Sequence, residues 1–537
     1  MFILKIPIII LKKILIFYNT KIKKKFQAHF FKIEKFNNLI EIYKNKKFFL
    51  LGNTIIFYNK LESEIKIDLK DKSSLNLFII SFKNNVFEYY LDEKKFQKLI
   101  QLGYVNYIKI PIKNERSFEI KQKENFIRTF KSKKNYKKKL VLLLMVDGLS
   151  KYMGNQCKRL KENFISFENF YSNSEWTLPS YSSLISGLHP SRHMNFNPRS
   201  FYSDKNDKKT SKIKSDINLY KFFSEKGYVT GTYSSYHRIN PSYGFFDSVD
   251  NGKYCEKFEA FQISNEIISQ INFFDNSSNL IFAHFMDAHH PVKGFRSMDY
   301  YNNNRISNEN YDIEEVDKLI KKNLKLGNVH KFHGSILREE KINGYLHIEN
   351  EIFKLLNNIN LEDFEDYTII VFGDHGIKIN DKLNYNLTLH PDAVETSLFI
   401  KDKKFNNFDK KKNLQTIDIF PSLVDRFYDR SFLKSESLQN NGSIFSNKKN
   451  ENIIHESIYP PHYQLSVRLN NQIMYSRFNF DVSNNKIISH IDTFFLNNKF
   501  ENIKISKDDE AKLQNTAKEH ILKSSLDFES IKNVFNQ

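Results

Sequence analysis

The rhythm of apolar and polar positions changes along the chain and divides it. Residues 1–30 are basic and apolar by turns, with no sustained period. From about Phe31 to Ile120 the apolar positions fall into short β-type runs: Phe48–Leu51, Thr54–Tyr58, Glu64–Leu69, Leu75–Phe82 and Val86–Tyr90. Gly52-Asn53 and Asn84-Asn85 stand between runs as hairpin turns, so residues 31–120 are expected to form a separate β-rich domain. Residues 121–139 are polar and strongly basic and read as a linker.

The pattern then becomes that of an α/β protein. Leu140–Val146 is continuously apolar, the mark of a strand buried on both faces of a parallel sheet. Ile217–Glu225 has helical spacing with Gly227 as a stop, and Tyr228–Tyr233 reads as a strand. Leu280–Met286 and Tyr367–Phe372 are further buried strands. Between them Ile342–Asn357 is an amphipathic helix with Tyr345, Leu346, Ile352, Leu355 and Leu356 inward. Alternating strands and helices predict a sheet with helices on both faces. A helix over Thr416–Phe427 closes this α/β domain, residues 140–430. Strand candidates Ile453–Ile458, Gln464–Leu469, Ile473–Phe478 and Ile487–Ile491, then a helix over Ala511–Leu526, make a small C-terminal α+β subdomain over 431–537.

The stretch Glu175–His193, E-W-T-L-P-S-Y-S-S-L-I-S-G-L-H-P-S-R-H, reads as a helix start carrying a hydroxyl. Thr177 is placed as the N-cap, Pro179 suits the first turn, and Gly187 suits the end. An oxygen nucleophile or an incoming anion at such a terminus gains from the free N–H groups and the helix dipole.

Three buried strands each end in an acidic residue: Asp147, Asp287 and Asp374. Ligands of open α/β sheets bind beyond these carboxyl ends. Carboxylates crowded there repel one another unless a cation neutralises them. His289, His290, His375 and His390 offer nitrogen ligands of the kind that suit zinc or manganese. Thr177 can join the cluster, and a cation lowers the pKa of a hydroxyl it binds. His455, His462 and His490 read as exposed polar residues.

Composition narrows the partners. A chain of 537 residues that is 40% hydrophobic and 27% charged has ample material for a buried core. The net charge of +20 points to an anionic substrate or a membrane surface. The lysines are scattered, with no aromatic-interleaved basic stripe, which argues against nucleic acid. The two cysteines, Cys157 and Cys255, give neither a disulfide framework nor a CxxC metal motif. Phe2–Tyr18 is apolar but broken by Lys5, Lys12 and Lys13, and its clean run Ile6–Leu11 is too short to span a bilayer. A cytoplasmic protein is expected, with peripheral membrane association as the alternative.

In this order the motifs resemble the sulfatase branch of the alkaline phosphatase superfamily, over about Lys139 to Asp425. V-L-L-L-M-V-D-G resembles the family's first metal-ligand strand, and W-T-L-P-S-Y-S-S-L-I-S-G-L-H-P-S-R-H its nucleophile helix. F-F-S-E-K-G-Y-V-T-G-T-Y-S-S-Y-H with G-F-F-D resembles the segment that follows, and F-M-D-A-H-H-P the histidine-proline strand end. Y-T-I-I-V-F-G-D-H-G resembles the second metal strand, and H-P-D-A-V-E-T-S-L-F-I the turn beyond.

The resemblance implies an alkaline phosphatase-like α/β fold and a divalent metal, zinc, manganese, calcium or magnesium, held by Asp147, Thr177, Asp374 and His375. It implies Thr177 as nucleophile, with His237, His290 and His390 on the substrate or leaving group. A second metal on Asp287, His290 and His390 is left open, as in two-metal relatives. Thr177 stands where sulfatases carry the cysteine or serine that becomes formylglycine. Tyr181 replaces an arginine, Ser235 and His390 replace lysines, and Asp147 is followed by Gly148 rather than a second aspartate. Threonine is not a formylglycine precursor. The departures therefore favour phosphoester chemistry, as in phosphodiesterases and phosphoethanolamine or phosphoglycerol transferases. The expected substrate is an anionic ester, on a glycan or lipid-linked precursor. A sulfatase without formylglycine and a non-catalytic binding protein of the same fold are the alternatives.

Overall fold

The computed structural model describes residues 47–51, 54–58, 65–69, 72–80, 86–99, 106–120, 126–133, 137–196, 218–236, 239, 249–255, 258–289, 334–377, 389–433, 436–448, 450–459, 462–481 and 484–528. The basic N-terminal segment, His237 and His290 lie outside them.

Five strands run parallel at the centre of a nine-stranded sheet: Asn251–Cys255, Val229–Ser234, Asn279–Phe285, Lys139–Val146 and Asp366–Gly373, in that spatial order. Leu398–Asp402 and then Ile165–Ser166 extend one edge in antiparallel fashion. The continuous apolar run of Lys139–Val146 follows from this central position. Val141, Leu143 and Met145 enter the core on one face, and Leu140, Leu142, Leu144 and Val146 the core on the other. The first core is built with Thr177–Ser186, Leu219–Glu225 and Ile419–Phe427, the second with Ala260–Phe273 and Gly334–Asn358. In the last helix Ile348, not Leu346, takes the fully inward position.

The N-terminal β region departs from expectation in three ways. The hairpin Lys47–Leu51/Thr54–Tyr58 leaves that region and completes the main sheet, with Thr54–Tyr58 antiparallel to Asn251–Cys255. Asn84-Asn85 lies outside the described residues, and the strands on either side, Lys72–Ile80 and Val86–Leu91, belong to different sheets. The hairpin turn falls instead at Asp92 and Glu93, both at positive φ, between Val86–Leu91 and Lys94–Leu99. Finally, the stretch read as a linker contains the strand Phe126–Lys133, paired with Lys72–Ile80. What remains is a four-stranded and a three-stranded sheet sharing one small core that includes Leu75, Leu77, Ile108, Ile110, Phe87 and Phe118.

The C-terminal strands Ile453–Tyr459, His462–Leu469, Gln472–Asp481 and Lys486–Asn497 form an antiparallel meander. The helix Lys507–Leu522 covers it through Leu513, Ala517 and Ile521. Trp176 packs against both this core and that of the main sheet, so the subdomain is joined beside the helix that carries Thr177. Among the described residues no helix is long and apolar enough to cross a membrane.

Candidate active site

The helix Thr177–Ser186 is buried along its whole length. Two of its serines bond within the helix, Ser182 Oγ donating to the Leu178 carbonyl and Ser186 Oγ to the Ser182 carbonyl, each at 2.6 Å, while Ser180 Oγ donates to the Ser174 carbonyl at 3.1 Å and Ser183 Oγ lies 3.2 Å from His193 Nε2. Gly187 ends it at φ 67°. Thr177 is not the cap. Trp176 holds the extended N-cap position and Thr177 is the first helical residue. Its hydroxyl, released from capping, donates to Asp147 Oδ2 at 3.2 Å and lies 3.4 Å from His375 Nε2. Tyr181 points the other way, into the core against Phe282 at 4.6 Å between ring centroids, so it replaces none of an arginine's charge at the site.

Asp147 and Asp374 follow the two central strands Lys139–Val146 and Asp366–Gly373, which places their carboxylates side by side at one edge. Gly148 makes the approach work. It sits at φ +64°, a conformation a side chain resists, and a Cβ there would strike the Ile377 side chain. Its N–H donates to Asp374 Oδ1 at 2.8 Å, and the His375 N–H reaches the same oxygen at 2.9 Å. His375 Nδ1 donates to the Gly376 carbonyl at 2.7 Å, which leaves the Nε2 lone pair for Thr177 or a cation. The residues Asp147, Thr177, Asp374 and His375 are therefore gathered at one point.

Asp147 Oδ1 and Asp374 Oδ2 are buried and have no hydrogen-bond partner. Two ionised carboxylates with orphaned oxygens in a protein interior fit a bound cation and little else. Burial, and then the neighbouring Asp147, push Asp374 up to about 6, against the lowering charge of His375. Burial would raise Asp147 as well, but the charges of His289, His375, His284 and Lys341 outweigh it and hold its pKa below the ordinary value. His375 is raised: burial opposes its charge, and the two carboxylates overcome that.

His284 completes this cluster and is not among the residues the sequence singles out. Its ring Nε2 lies 3.7 Å from Asp147 Oδ2, and ligand atoms of Asp147, His284 and Asp374 all lie within 4.8 Å of one another. The available signal was a histidine inside an otherwise apolar buried strand, Asn279–Phe285. His289 approaches the same side, 6.3 Å from Tyr236 between ring centroids.

Of the three residues of the possible second-metal set, His290 lies outside the described residues, and Asp287 and His390 each make local bonds. Asp287 Oδ1 accepts the Ala260 N–H at 2.9 Å and lies 3.7 Å from His347 Nε2, so it anchors the start of the Ala260–Phe273 helix. His390 caps the short helix Pro391–Val394, its Nδ1 accepting the Asp392 N–H at 3.1 Å, with Phe500 against its ring. With Nδ1 accepting, Nε2 carries the N–H and can donate a hydrogen bond. Ser235 Oγ is buried without a hydrogen-bond partner at the end of Val229–Ser234.

A second convergence, His189, Glu456 and His520, lies where the nucleophile segment meets the C-terminal subdomain. Its carboxylate is bonded from within. Glu456 accepts the Ser191 N–H at 2.9 Å and the Tyr463 hydroxyl at 2.7 Å, and lies 3.0 Å from His520 Nε2. Asn173 accepts the Ile417 N–H at 3.0 Å, which turns its Nδ2 toward His189 Nδ1. Glu175, two residues before Thr177, ties the same seam through Ser457.

His455 is buried, against expectation, because Nδ1 bonds the Ser172 carbonyl at 2.7 Å. Burial pushes both His193 and His455 down to about 3, with the Arg468 charge adding to the effect at His455. Both stay neutral in the fold while the unfolded chain takes up protons below about 6.5. Stability should therefore fall as pH drops from about 6.5 toward 3, by about 1.4 kcal/mol per pH unit for each histidine. His193→Asn should flatten the dependence of Tm on pH between 7 and 5. An unchanged slope would mean that His193 takes its proton without cost.

A sulfatase family model matches residues 144–428. No protein of curated function matches the sequence. Solved structures share the fold at low identity. The chain is similar to yidJ from Bacteroides fragilis at 12% identity, covering 71% of this chain and 96% of that one, with a TM-score of 0.50. A Bacteroides thetaiotaomicron protein described in connection with the metabolism of glycosaminoglycans matches at 10% identity over 75% of this chain and 99% of that one, TM-score 0.50. Ps i-CgsB matches at 14% over 74% and 96%, TM-score 0.50.

Proposed function

The chain belongs to the sulfatase family, and from that premise we propose that it is a divalent-metal-dependent hydrolase or transferase of phosphoesters that uses Thr177 as its nucleophile. The observation that carries this reading is the Thr177 hydroxyl, turned away from its helix and onto Asp147 at 3.2 Å. Asp147, Asp374, His375 and Thr177 would hold the cation, with His284 beside them. When bound, a divalent cation lowers the pKa of a hydroxyl and draws charge from phosphoryl oxygens.

The chain's own groups supply the rest. Asp147 orients the Thr177 hydroxyl. The helix N-terminus favours negative charge at Oγ1 and on the incoming ester. The Thr177 hydroxyl releases its proton to water, Oγ1 bonds to phosphorus as the bond to the leaving oxygen breaks, and that oxygen takes a proton from a histidine. His237, His290 and His390 are the candidates for this step. A phosphothreonine results. Water, or an acceptor hydroxyl in a transferase, then attacks phosphorus and yields its proton to the histidine, while the bond from phosphorus to Oγ1 breaks and Oγ1 takes back a proton from water. The net charge of +20 favours an anionic ester, and a glycan or lipid-linked precursor as its carrier belongs to the same proposal.

The test is a panel of matched aryl phosphodiesters, phosphomonoesters and sulfates assayed with added Mn2+ or Zn2+. A threonine ester lacks the geminal hydroxyl through which a formylglycine hydrate expels sulfate, so it must be resolved by direct attack at the second atom. That attack suits phosphorus, where charge spreads over several oxygens. Phosphoesters should turn over faster than sulfates by about a hundredfold or more, roughly 2.7 kcal/mol in barrier. Sulfates turning over faster would overturn the assignment, and no turnover of any ester would favour a binding protein.

A further inference from the structure

Tyr345 has no part in the chemistry above, yet its hydroxyl sits beneath the loop that carries it. The residue belongs to the helix Gly334–Asn358 and packs in an apolar core with Ile348, Ile352 and Leu355. It is 1% exposed. A tyrosine there brings a hydroxyl that needs a partner, whereas phenylalanine would fill the core without that demand. The hydroxyl donates to the Gly148 carbonyl at 2.6 Å, with the Asp147 carbonyl 3.3 Å away.

The Asp147 carbonyl and the Gly148 N–H are the two ends of one peptide group. That N–H donates to Asp374 Oδ1 at 2.8 Å. Gly148 is thus held from both sides, its carbonyl by the Tyr345 hydroxyl and its N–H by the Asp374 carboxylate. Gly148, at φ +64°, has no side chain with which to fix its own orientation. One turn earlier on the same helix, Lys341 Nζ donates to the Ala288 carbonyl at 3.2 Å, so the helix grips the neighbouring strand end as well.

We propose that Tyr345 is a positioning residue of the cation site: through the backbone of Gly148 its hydroxyl sets the spacing at which the Asp147 and Asp374 carboxylates accept a divalent ion. The proposal rests on the reading of those two residues as metal ligands. Tyr345 touches neither substrate nor cation and acts through the backbone.

The experiment compares metal-stripped full-length protein, wild type, Tyr345→Phe and Ile348→Val, by calorimetric titration with Mn2+ and by thermal unfolding without metal. Ile348→Val is the packing control, since it trims the same core without touching the loop. Tyr345→Phe should weaken Mn2+ binding about 10- to 100-fold, with a metal-free Tm no lower than that of Ile348→Val and with kcat recovering at saturating Mn2+. Incorporating p-aminophenylalanine at position 345, which restores a donor, should return the wild-type affinity; it also serves if the phenylalanine variant fails to fold. Affinity unchanged within twofold in Tyr345→Phe, or lowered equally in Ile348→Val, overturns the proposal, as does failure of the amino analogue to rescue. Wild type that binds no Mn2+ or Zn2+ instead removes the metal reading itself.

Discussion

Thr177→Ala is expected to lower kcat for the best phosphoester by at least about three orders of magnitude, because it deletes the atom that attacks. KM should move far less, since the helix N-terminus and the cation that Asp147, Asp374 and His375 would hold stay in place to receive the anion. Thr177→Ser should retain measurable turnover, within about a hundredfold of wild type. Serine keeps the hydroxyl but loses the β-branch that limits its rotamers, so Oγ spends less time on Asp147. Rapid acid quench with substrate, followed by mass spectrometry, should find phosphate on Thr177 in the wild type and none at that position in the alanine variant. An alanine variant within tenfold of wild type would exclude Thr177 as nucleophile. A fully active wild type that never carries phosphate on Thr177 would leave the hydroxyl a role but remove the covalent route.

Asp374→Asn should separate stability from metal binding. Asparagine keeps the oxygen that accepts the Gly148 and His375 N–H groups at 2.8 and 2.9 Å while removing the charge that Asp147 repels. Mn2+ affinity is expected to fall by about three orders of magnitude or more, and activity with it. Without metal the same variant should be the more stable protein near neutral pH. Asp374 is pushed up to about 6 in the fold, against an ordinary value of 3.8. Between those values the folded chain holds a proton that the unfolded chain has released, so stability falls as pH rises through this window. Above about pH 6 the cost is complete, on the order of 3 kcal/mol at about 1.4 kcal/mol per unit. The gain in metal-free Tm for Asp374→Asn should therefore be largest at pH 7.5 and vanish near pH 4. Metal binding undiminished in the variant would show that Asp374 is no ligand. A metal-free variant less stable than wild type at pH 7.5 would show that the carboxylate pair is not strained.

Much of the architecture is local and therefore legible in the sequence. Leu140–Val146 announces a central strand because burial on both faces leaves no polar position to alternate. The acids that follow the central strands mark the site because a parallel sheet puts its strand ends at one edge. Asp147, Thr177, Asp374 and His375 come together as the order of their motifs suggests.

What the tertiary structure decided is whatever depends on a distant partner. A hairpin at 47–58 looks the same whether it stays in a β-rich domain or completes the main sheet; only its pairing with Asn251–Cys255 tells. Thr177 has the chemistry of a cap, and only the nearness of Asp147, thirty residues earlier, turns the hydroxyl outward. His284 and Tyr345 read as core residues and are core residues, but their polar atoms reach the site from other strands and helices. Asp287 read as a ligand, and only the structure shows that its Oδ1 also accepts the N–H at the start of a helix packed against it. Local periodicity determined where the elements and the acids lie; the contacts made across the sheet, which no local pattern encodes, determined which of those side chains face a common point.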